Sequence, residues 1–303
     1  MMDSGDLRVF EAVTRLGSMS RAAVSLNTVQ SNVTARIKAM EAKIGVPLFE
    51  RHGRGVSMTE AGKRLLPYAQ RIIDLLSEAE RVAKDDGSPS GNVTLGSLDT
   101  AAALRLAPVL SRYVAAFPDV ELTLRTGTTR DLLQLVRDGE VEGAFVCGPV
   151  DLPDLEAEEV FTEELVVLGA NGIKSLSEAL HDPGIRIVVL KAGCSYRQRL
   201  EEIMVRRGVA SPRVLEFGTL EAVFGCVAAG LGITMLPVGL LDRIWKSDRV
   251  SVHRLPRSEA WVSTVFVRRR DRRVSSAVKA FLDEARTEFR NDVGALAAIA
   301  PLG

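Results

Sequence analysis

Apolar side chains recur at every third or fourth position through the first part of the chain, and this spacing predicts helices rather than strands. A first helix is predicted over 6–17, where Gly17 ends it, and a second begins at a Ser cap in the segment SMSRAAVSL. After the short polar break NT, a third helix covers 29–44 and ends at Gly45. Two helices joined by so short a turn, the second of them basic, form a helix-turn-helix pattern.

The third predicted helix has an apolar side and an opposite side that is small and polar. The residues expected in the core are Val33, Ile37, Met40 and Ile44. The opposite face carries Ser31, Ala35, Lys38 and Ala42, flanked by Asn32 and Thr34. Such a face fits a major groove, and the amide of Gln30 suits adenine. A plain amphipathic surface helix has the same pattern, but the short turn before it and the basic hairpin after it favour DNA binding.

That hairpin is the segment LFERHGRGVSMT, in which Gly53 and Gly55 allow tight turns. A basic β-wing beside a recognition helix touches phosphates or the minor groove. Charge supports this assignment, because residues 20–65 hold eight basic and three acidic side chains in a chain of zero net charge. The predicted DNA-binding residues are Gln30, Ser31, Asn32, Thr34, Ala35, Arg36, Lys38, Arg51 and Arg54.

A long helix is predicted after Thr59, with an apolar stripe that indicates dimerisation through a coiled-coil-like seam. The segment DDGSPSG is rich in turn residues and marks a domain boundary. Beyond it, strands and helices alternate, which predicts an α/β domain with a largely parallel sheet. The predicted domains are a DNA-binding domain over 1–58, a linker helix over 59–87 and a regulatory domain over 88–303.

The cysteine count and the absence of targeting patterns bound the function classes. The three cysteines are odd in number and lack metal-ligand spacing, so neither a disulfide framework nor a zinc site is predicted. The start of the chain has no signal-peptide pattern and no stretch is long enough to span a membrane, so a cytoplasmic protein is expected. A solute-binding protein of a transport system is disfavoured, because such a protein would need a secretion signal. No nucleophile, phosphate-loop or metalloprotease motif is present, so no enzyme and no cofactor are predicted.

The sequence resembles a LysR-type transcriptional regulator over almost its full length. The resemblance rests on VQSNVTARIKAMEAKIGVPLFER, GVSMTEAGKRLLPYA, FPDVELTL, LVRDGEVEGAF and VAAGLGITMLP, and GCSYRQRLE is similar to one subgroup. It implies a multidomain fold: an all-α winged helix-turn-helix and an α/β, two-lobed effector domain like a periplasmic binding protein. It also implies a dimer of dimers on double-stranded DNA, with RNA polymerase as a further partner. Lobe I is expected over about 91–161 and 265–293, and lobe II over about 162–264.

By this resemblance, the effector lies between the lobes, where strand ends and helix starts converge. Hydroxyl-bearing turns before helices offer N–H groups and a positive dipole end, which suit a carboxylate or another small anion. Arg197 is a candidate counter-charge, or else a surface ion pair. A thiol redox sensor acting through Cys194 is the alternative function, because a helix start can lower a thiol pKa. The predicted effector-binding residues are Ser97, Thr100, Thr128, Thr129, Phe145, Cys147, Cys194, Ser195, Arg197 and Thr219.

Overall fold

The computed structural model describes residues 2–52, 55–182, 184–209, 211–241, 245 and 247–298, without the side chains of Arg51, Arg81, Lys84 and 290–298. The chain divides into two compact units, 1–86 and 87–303. Within the described residues, no helix is both long enough and apolar enough to cross a membrane.

The first unit consists of helices and one hairpin. Its elements are α1 (Ser4–Leu16), α2 (Met19–Ser25), α3 (Gln30–Ile44), β1 (Phe49–His52), β2 (Gly55–Met58) and α4 (Glu60–Lys84). The boundaries follow local chemistry, because Asp3 and Asp6 form a capping box at the start of α1 and Gly17 ends it in the left-handed region at φ 60°. Ser18 then caps α2. The predicted helix-turn-helix and wing are confirmed.

The core of this unit is the apolar side of the three short helices. Phe10, Val33 and Met40 are fully buried, and the Phe10 ring lies 5.3 Å from that of Phe49 on β1. The expectation that Ile44 belongs to this core is wrong, since its side chain is 40% exposed. It is the last residue of α3, and Gly45 turns the chain away before another layer can cover it.

The second unit has a mixed sheet. Its strands are β3 (Gly91–Ser97), β4 (Val120–Thr126), β5 (Gly143–Cys147), β6 (Leu155–Ala170), β7 (Arg186–Leu190), β8 (Arg213–Phe217), β9 (Thr234–Pro237), β10 (Val250–Arg254) and β11 (Trp261–Arg269). The main sheet runs in the order β10-β6-β11-β5-β3-β4, with β9 also on β6, and β7 pairs separately with β8. Among the strand pairs of the described residues, β3 with β4, β3 with β5 and β7 with β8 are parallel and the others are antiparallel, so the prediction of a largely parallel sheet is wrong.

The antiparallel part of the sheet arises from two long strands that connect its halves. β6 pairs with β11 from Leu155 to Glu164 and then with β9 and β10 from Leu165 to Ala170. One continuous strand therefore carries the chain from the first lobe into the second, and β11 brings it back. Phe161 and Thr264, where the crossings were predicted, face each other in this register.

Helices cover both halves of the sheet. They are α5 (Asp99–Ala101), α6 (Ala107–Ala116), α7 (Thr129–Asp138), α8 (Leu176–Leu180), α9 (Ser195–Arg206), α10 (Leu220–Ala228), α11 (Arg257–Ala260) and α12 (Ser276–Ala298). The helical segment from Asp99 to Ala116 is interrupted by a π-turn at Ala102–Leu106. Pro108 follows this turn, and it has no N–H to continue a regular α-helical ladder.

Candidate DNA-binding surface and effector crevice

The outward face of α3 presents small polar side chains and one cation. Gln30, Ser31, Asn32, Ala35 and Lys38 are exposed, and Thr34 is half-buried. Two amides on this face are held by neighbours. The Gln30 Oε1 accepts from the Ser20 hydroxyl at 2.8 Å, and the Asn32 Nδ2 donates to the Thr28 hydroxyl at 2.9 Å. These contacts restrict the amides and leave further donors and acceptors directed outward.

Arg36 is engaged inside the first unit instead of projecting from this face. Its guanidinium lies 3.3 Å from both Asp3 and Asp6, and Lys43 lies 3.2 Å from Asp6. Burial opposes ionisation of Asp6, yet the Asp3 backbone N–H, Lys43 and Arg36 together hold the pKa of its carboxyl below the ordinary value. Arg36 thus connects α3 to α1, a role that its prediction as a DNA-binding residue did not include.

The wing is described only in part. β1 and β2 pair antiparallel from Phe49 opposite Met58 to His52 opposite Gly55, and the His52 Nε2 lies 2.8 Å from the Ser57 hydroxyl. Arg54 at the tip lies outside the described residues, as does the side chain of Arg51. Phosphate contacts by these two arginines stay a prediction.

In the second unit, three neighbouring strands form the floor of a polar crevice. Thr264 on β11 lies opposite Cys147 on β5 and opposite Phe161 on β6, and Val262 lies opposite Glu163. Side chains directly opposite each other share one face of a sheet, so the polar groups of Cys147, Glu163 and Thr264 all lie on the same face. All three residues are buried.

The start of α9 covers this floor through two consecutive residues. The Ser195 hydroxyl donates to the Thr129 Oγ1 at 2.9 Å, and the Cys147 N–H reaches the same oxygen at 3.4 Å. The Tyr196 hydroxyl lies 3.2 Å from the Glu163 Oε2 and 3.3 Å from the Thr100 Oγ1. These hydrogen bonds join α9 of one half to α5, α7 and the connecting strand β6.

A second set of contacts closes the edge of the crevice. The Lys191 ammonium lies 2.7 Å from the Asp131 carboxylate. Gly193, with φ +98°, approaches Thr128 so closely that an added Cβ would lie 2.8 Å from the Thr128 Oγ1. Thr128 itself caps α7 by accepting from the Asp131 N–H. We call residues 191–196 and 128–131 together the interlobe clasp.

The crevice brings together Thr100, Thr128, Thr129, Cys147 and Ser195 of the predicted effector residues, with Cys194 adjoining. Phe145 is not among them: its ring is fully buried in an aromatic core, 5.0 Å from Phe266. Ser97 is also fully buried and donates to the Leu98 carbonyl. Thr219 is exposed and caps α10, where its hydroxyl accepts from the Ala222 N–H at 3.2 Å. Arg197 pairs with Glu201 at 3.0 Å and Glu216 at 2.6 Å, as an ion pair within its own half.

The environment of the thiols does not favour a redox sensor. Burial raises the pKa of Cys147 to about 11, and burial also raises the pKa of Cys194 despite the backbone N–H groups of Arg197 and Tyr196. The expectation that the helix start lowers the Cys194 pKa is therefore wrong, because desolvation outweighs the helix terminus. A thiol with a raised pKa is a poorer nucleophile toward oxidants at neutral pH.

Two crevice residues were missed by sequence reasoning. Glu163 is 4% exposed, and its burial raises the pKa of the carboxyl, although Arg105 and the Tyr196 hydroxyl act in the opposite direction. Thr264 is fully buried on the adjacent strand. The available signal was the alternation of Phe161, Glu163 and Leu165, which places a carboxylate on the inward side of a strand.

Two family models match the chain, one on each unit. The model for the bacterial regulatory helix-turn-helix protein of the lysR family matches residues 4–63, and the LysR substrate binding domain matches residues 86–290. The chain belongs to the LysR family. It is a DNA-binding transcriptional regulator whose second unit is an effector-binding domain.

Curated LysR relatives cover nearly the whole chain. The HTH-type regulator YusT of Bacillus subtilis, described as uncharacterized, is 43% identical over 93% of this chain and 95% of its own length. YofA of Bacillus velezensis is 41% identical over 93% of this chain and 97% of its own length.

Solved LysR structures share this fold. A full-length OxyR variant from Pseudomonas aeruginosa aligns with TM-score 0.69 and 20% identity, over 94% of this chain and 95% of that one. Full-length CbnR, solved in complex with its target DNA, aligns with TM-score 0.66 and 20% identity, over 95% of this chain and 100% of its own. The predicted family and fold class are confirmed.

Proposed function

We propose that this LysR-type regulator reads operator DNA with the exposed face of α3 and senses a small anionic effector in the crevice beneath α9. The observation that carries the second part is the convergence of α7 and α9. Their first turns meet at the Ser195–Thr129 hydrogen bond, directly above the polar floor. N–H groups at two helix starts, together with hydroxyls, form a favourable environment for a carboxylate.

The DNA contacts assigned to α3 are Gln30, Ser31, Asn32, Thr34, Ala35 and Lys38. Apart from the half-buried Thr34, all are exposed, and the small side chains allow the helix to approach base edges closely. Phosphate contacts are assigned to Arg51 and Arg54 of the wing. Arg36 keeps a supporting role, because it holds α3 against α1.

The protein is proposed to work as a dimer of dimers through α4. The first turns of this helix pack on the DNA-binding unit, where Ala69 is fully buried. On another side of the helix, Tyr68, Ile72, Leu75 and Val82 are exposed and follow, with Ala79, the alternating spacing of three and four residues found in coiled coils. A second copy of the helix would cover this stripe and place two recognition helices on one operator.

Effector binding would act by shifting the population of lobe arrangements. The clasp contacts between 128–131 and 191–196 favour one arrangement, and a ligand that replaces them favours another. In an oligomer, this difference changes the spacing of the DNA-binding units and hence the affinity for the operator. The regulator would act in the cytoplasm, with RNA polymerase as the downstream partner and no catalytic reaction of its own.

Fluorescence anisotropy of the full-length protein on its own upstream intergenic DNA, against a scrambled duplex, tests the proposed DNA recognition. We expect tighter binding to the native duplex, with an affinity that falls steeply as salt rises. Equal, weak binding to both duplexes across the salt series would contradict recognition of that region.

A further inference from the structure

Two polar groups on the crevice floor have no hydrogen-bond partner among the described residues. They are the Oε1 of Glu163 and the Oγ1 of Thr264. Both residues are buried, at 4% and 0% exposure. They are diagonal neighbours on the paired strands β6 and β11 and lie on the same face of the sheet. Because buried polar groups are nearly always hydrogen-bonded, this pair marks a place where a donor from another molecule is expected.

The orientation of Glu163 is fixed by its other oxygen. The Oε2 accepts from the Tyr196 hydroxyl at 3.2 Å, and that hydroxyl also lies 3.3 Å from the Thr100 Oγ1. The Oε2 of the carboxyl is thus hydrogen-bonded, and the Oε1 is left as an acceptor for a ligand. Arg105 acts on it electrostatically, but burial dominates and disfavours its charged form. A cation entering the crevice would supply the hydrogen-bond donor that the Oε1 lacks among the described residues.

The groups above the floor favour a negatively charged ligand group, whereas Glu163 favours a positively charged one. Ser195 and Thr129 stand at the starts of two helices of ordinary length, α9 and α7, whose N–H groups and dipoles favour a negative charge. Ser195 and Tyr196 are consecutive, so the residue at the anion-attracting helix start and the residue whose hydroxyl binds the Glu163 carboxyl are neighbours along α9. A ligand that satisfies both needs an acidic and a basic group separated by very few bonds.

We propose that the effector is an amino acid, whose carboxylate binds at the starts of α7 and α9 and whose protonated amine donates to the Glu163 Oε1, with the Thr264 hydroxyl beside it. This inference rests on the effector function proposed above and narrows its ligand from small anions to zwitterions. An acid without an amine would bring its negative charge toward Glu163 with no positive charge to balance that of the carboxyl. An amine without a carboxylate would leave the helix starts unused.

The test is binding of every standard amino acid in turn to the full-length protein, by thermal shift and then titration calorimetry. For the best ligand, the matched 2-hydroxy acid and the matched decarboxylated amine are measured alongside it. We expect the amino acid to bind about tenfold or more tightly than either analogue, since each analogue lacks one charge-assisted contact. Glu163→Gln should weaken the amino acid about tenfold and abolish its advantage over the 2-hydroxy acid.

Two further variants separate this outcome from misfolding. Thr264→Val should weaken binding of the amino acid as well, while Glu164→Gln should not, because Glu164 is the next residue on the strand and is a partly exposed partner of Arg254. Equal binding of the amino acid and the 2-hydroxy acid to the wild-type protein, or binding of no amino acid at all, would overturn the proposal. Operator binding by the wild-type protein is measured separately, so a regulator that binds DNA but no amino acid refutes the ligand class alone.

Discussion

Lys38 is the cation at the centre of the exposed face of α3, and no ion pair holds it among the described residues. Lys38→Ala should weaken DNA binding at specific and non-specific sites alike and reduce the salt slope by about one, as expected for loss of a single phosphate contact. The measurement is anisotropy over a salt series on native and scrambled duplexes.

Lys63→Ala is the matched control, because this lysine is exposed on α4 and already pairs with Glu60 at 2.7 Å. Its loss should leave both the affinity and the slope close to those of the wild-type protein. If the two alanine variants behave alike, the assignment of Lys38 to DNA fails.

Glu163 makes a separate prediction about stability. Its pKa is raised in the folded state by burial, so its contribution to stability is largest at acid pH and is lost as the pH rises through the folded-state value. Glu163→Gln removes this titration. The thermal midpoint of the variant relative to the wild type should therefore be higher at about pH 8 than at about pH 5, by about 2 °C or more.

Tryptophan fluorescence makes this measurement selective, since the two tryptophans, Trp245 and Trp261, both lie in the second unit. Glu164→Gln is again the control, because the Glu164 side chain is partly exposed and pairs with Arg254. If the midpoint of Glu163→Gln differs from that of the wild type by the same amount at both pH values, ionisation of the buried carboxyl does not destabilise the fold.

At the residue scale, the sequence predicted the positions of the functional side chains better than it predicted whether those side chains are free to bind a ligand. Arg36 and Arg197 occupy positions that suit ligands, but both are neutralised by acidic neighbours, Arg36 by residues far along the chain. Phe145 precedes the strand end as predicted, yet its ring turns under α12. Such pairings depend on tertiary contacts, and a helical wheel or a strand pattern contains no information about them.

At the scale of elements, α4 has two parts that differ in their surroundings. Its beginning packs on its own unit, whereas its later turns expose Ile72 and Leu75 at 40% and 45%. Leu75→Glu should disrupt the pairing through α4 and lower the mass of the assembly, because a carboxylate would be buried in the proposed seam. Operator affinity should then fall by about a hundredfold, since one DNA-binding unit cannot gain from the second contact.

Light scattering after size exclusion measures the mass, and anisotropy measures the affinity. Gln70→Glu introduces the same charge on the opposite side of α4, at an exposed position, and should preserve both. A Leu75→Glu variant whose mass in solution equals that of the wild-type protein would place the interface elsewhere.

The elements themselves were largely predictable, and the exceptions have physical causes. Helix caps, left-handed glycines and apolar spacing located α1 and α3 to within about two residues. The direction of β6 and β11 was not predictable from such signals. Local alternation identifies a strand, but pairing between Phe161 and Thr264 is a contact between residues far apart in the chain.

At the scale of the whole molecule, the proposed response depends on how closely the two lobes approach each other at the interlobe clasp. Gly193 has φ +98° and no space for a side chain beside Thr128. Gly193→Ala should therefore separate the clasp and raise amide hydrogen exchange in both 128–132 and 193–197, although these segments lie on different lobes.

Gly172→Ala is the control for backbone strain, because Gly172 has φ +103° but no atom lies within 4 Å of an added Cβ. Both substitutions strain the backbone, while only the first inserts a methyl group between lobes. Exchange measured by mass spectrometry should thus rise at residues 128–132 in Gly193→Ala alone. Since ligand and clasp compete for the same groups, that variant should also show a weaker change in operator affinity on effector binding. Equal exchange at 128–132 in both variants would mean that the close approach of Gly193 to Thr128 does not control the lobes.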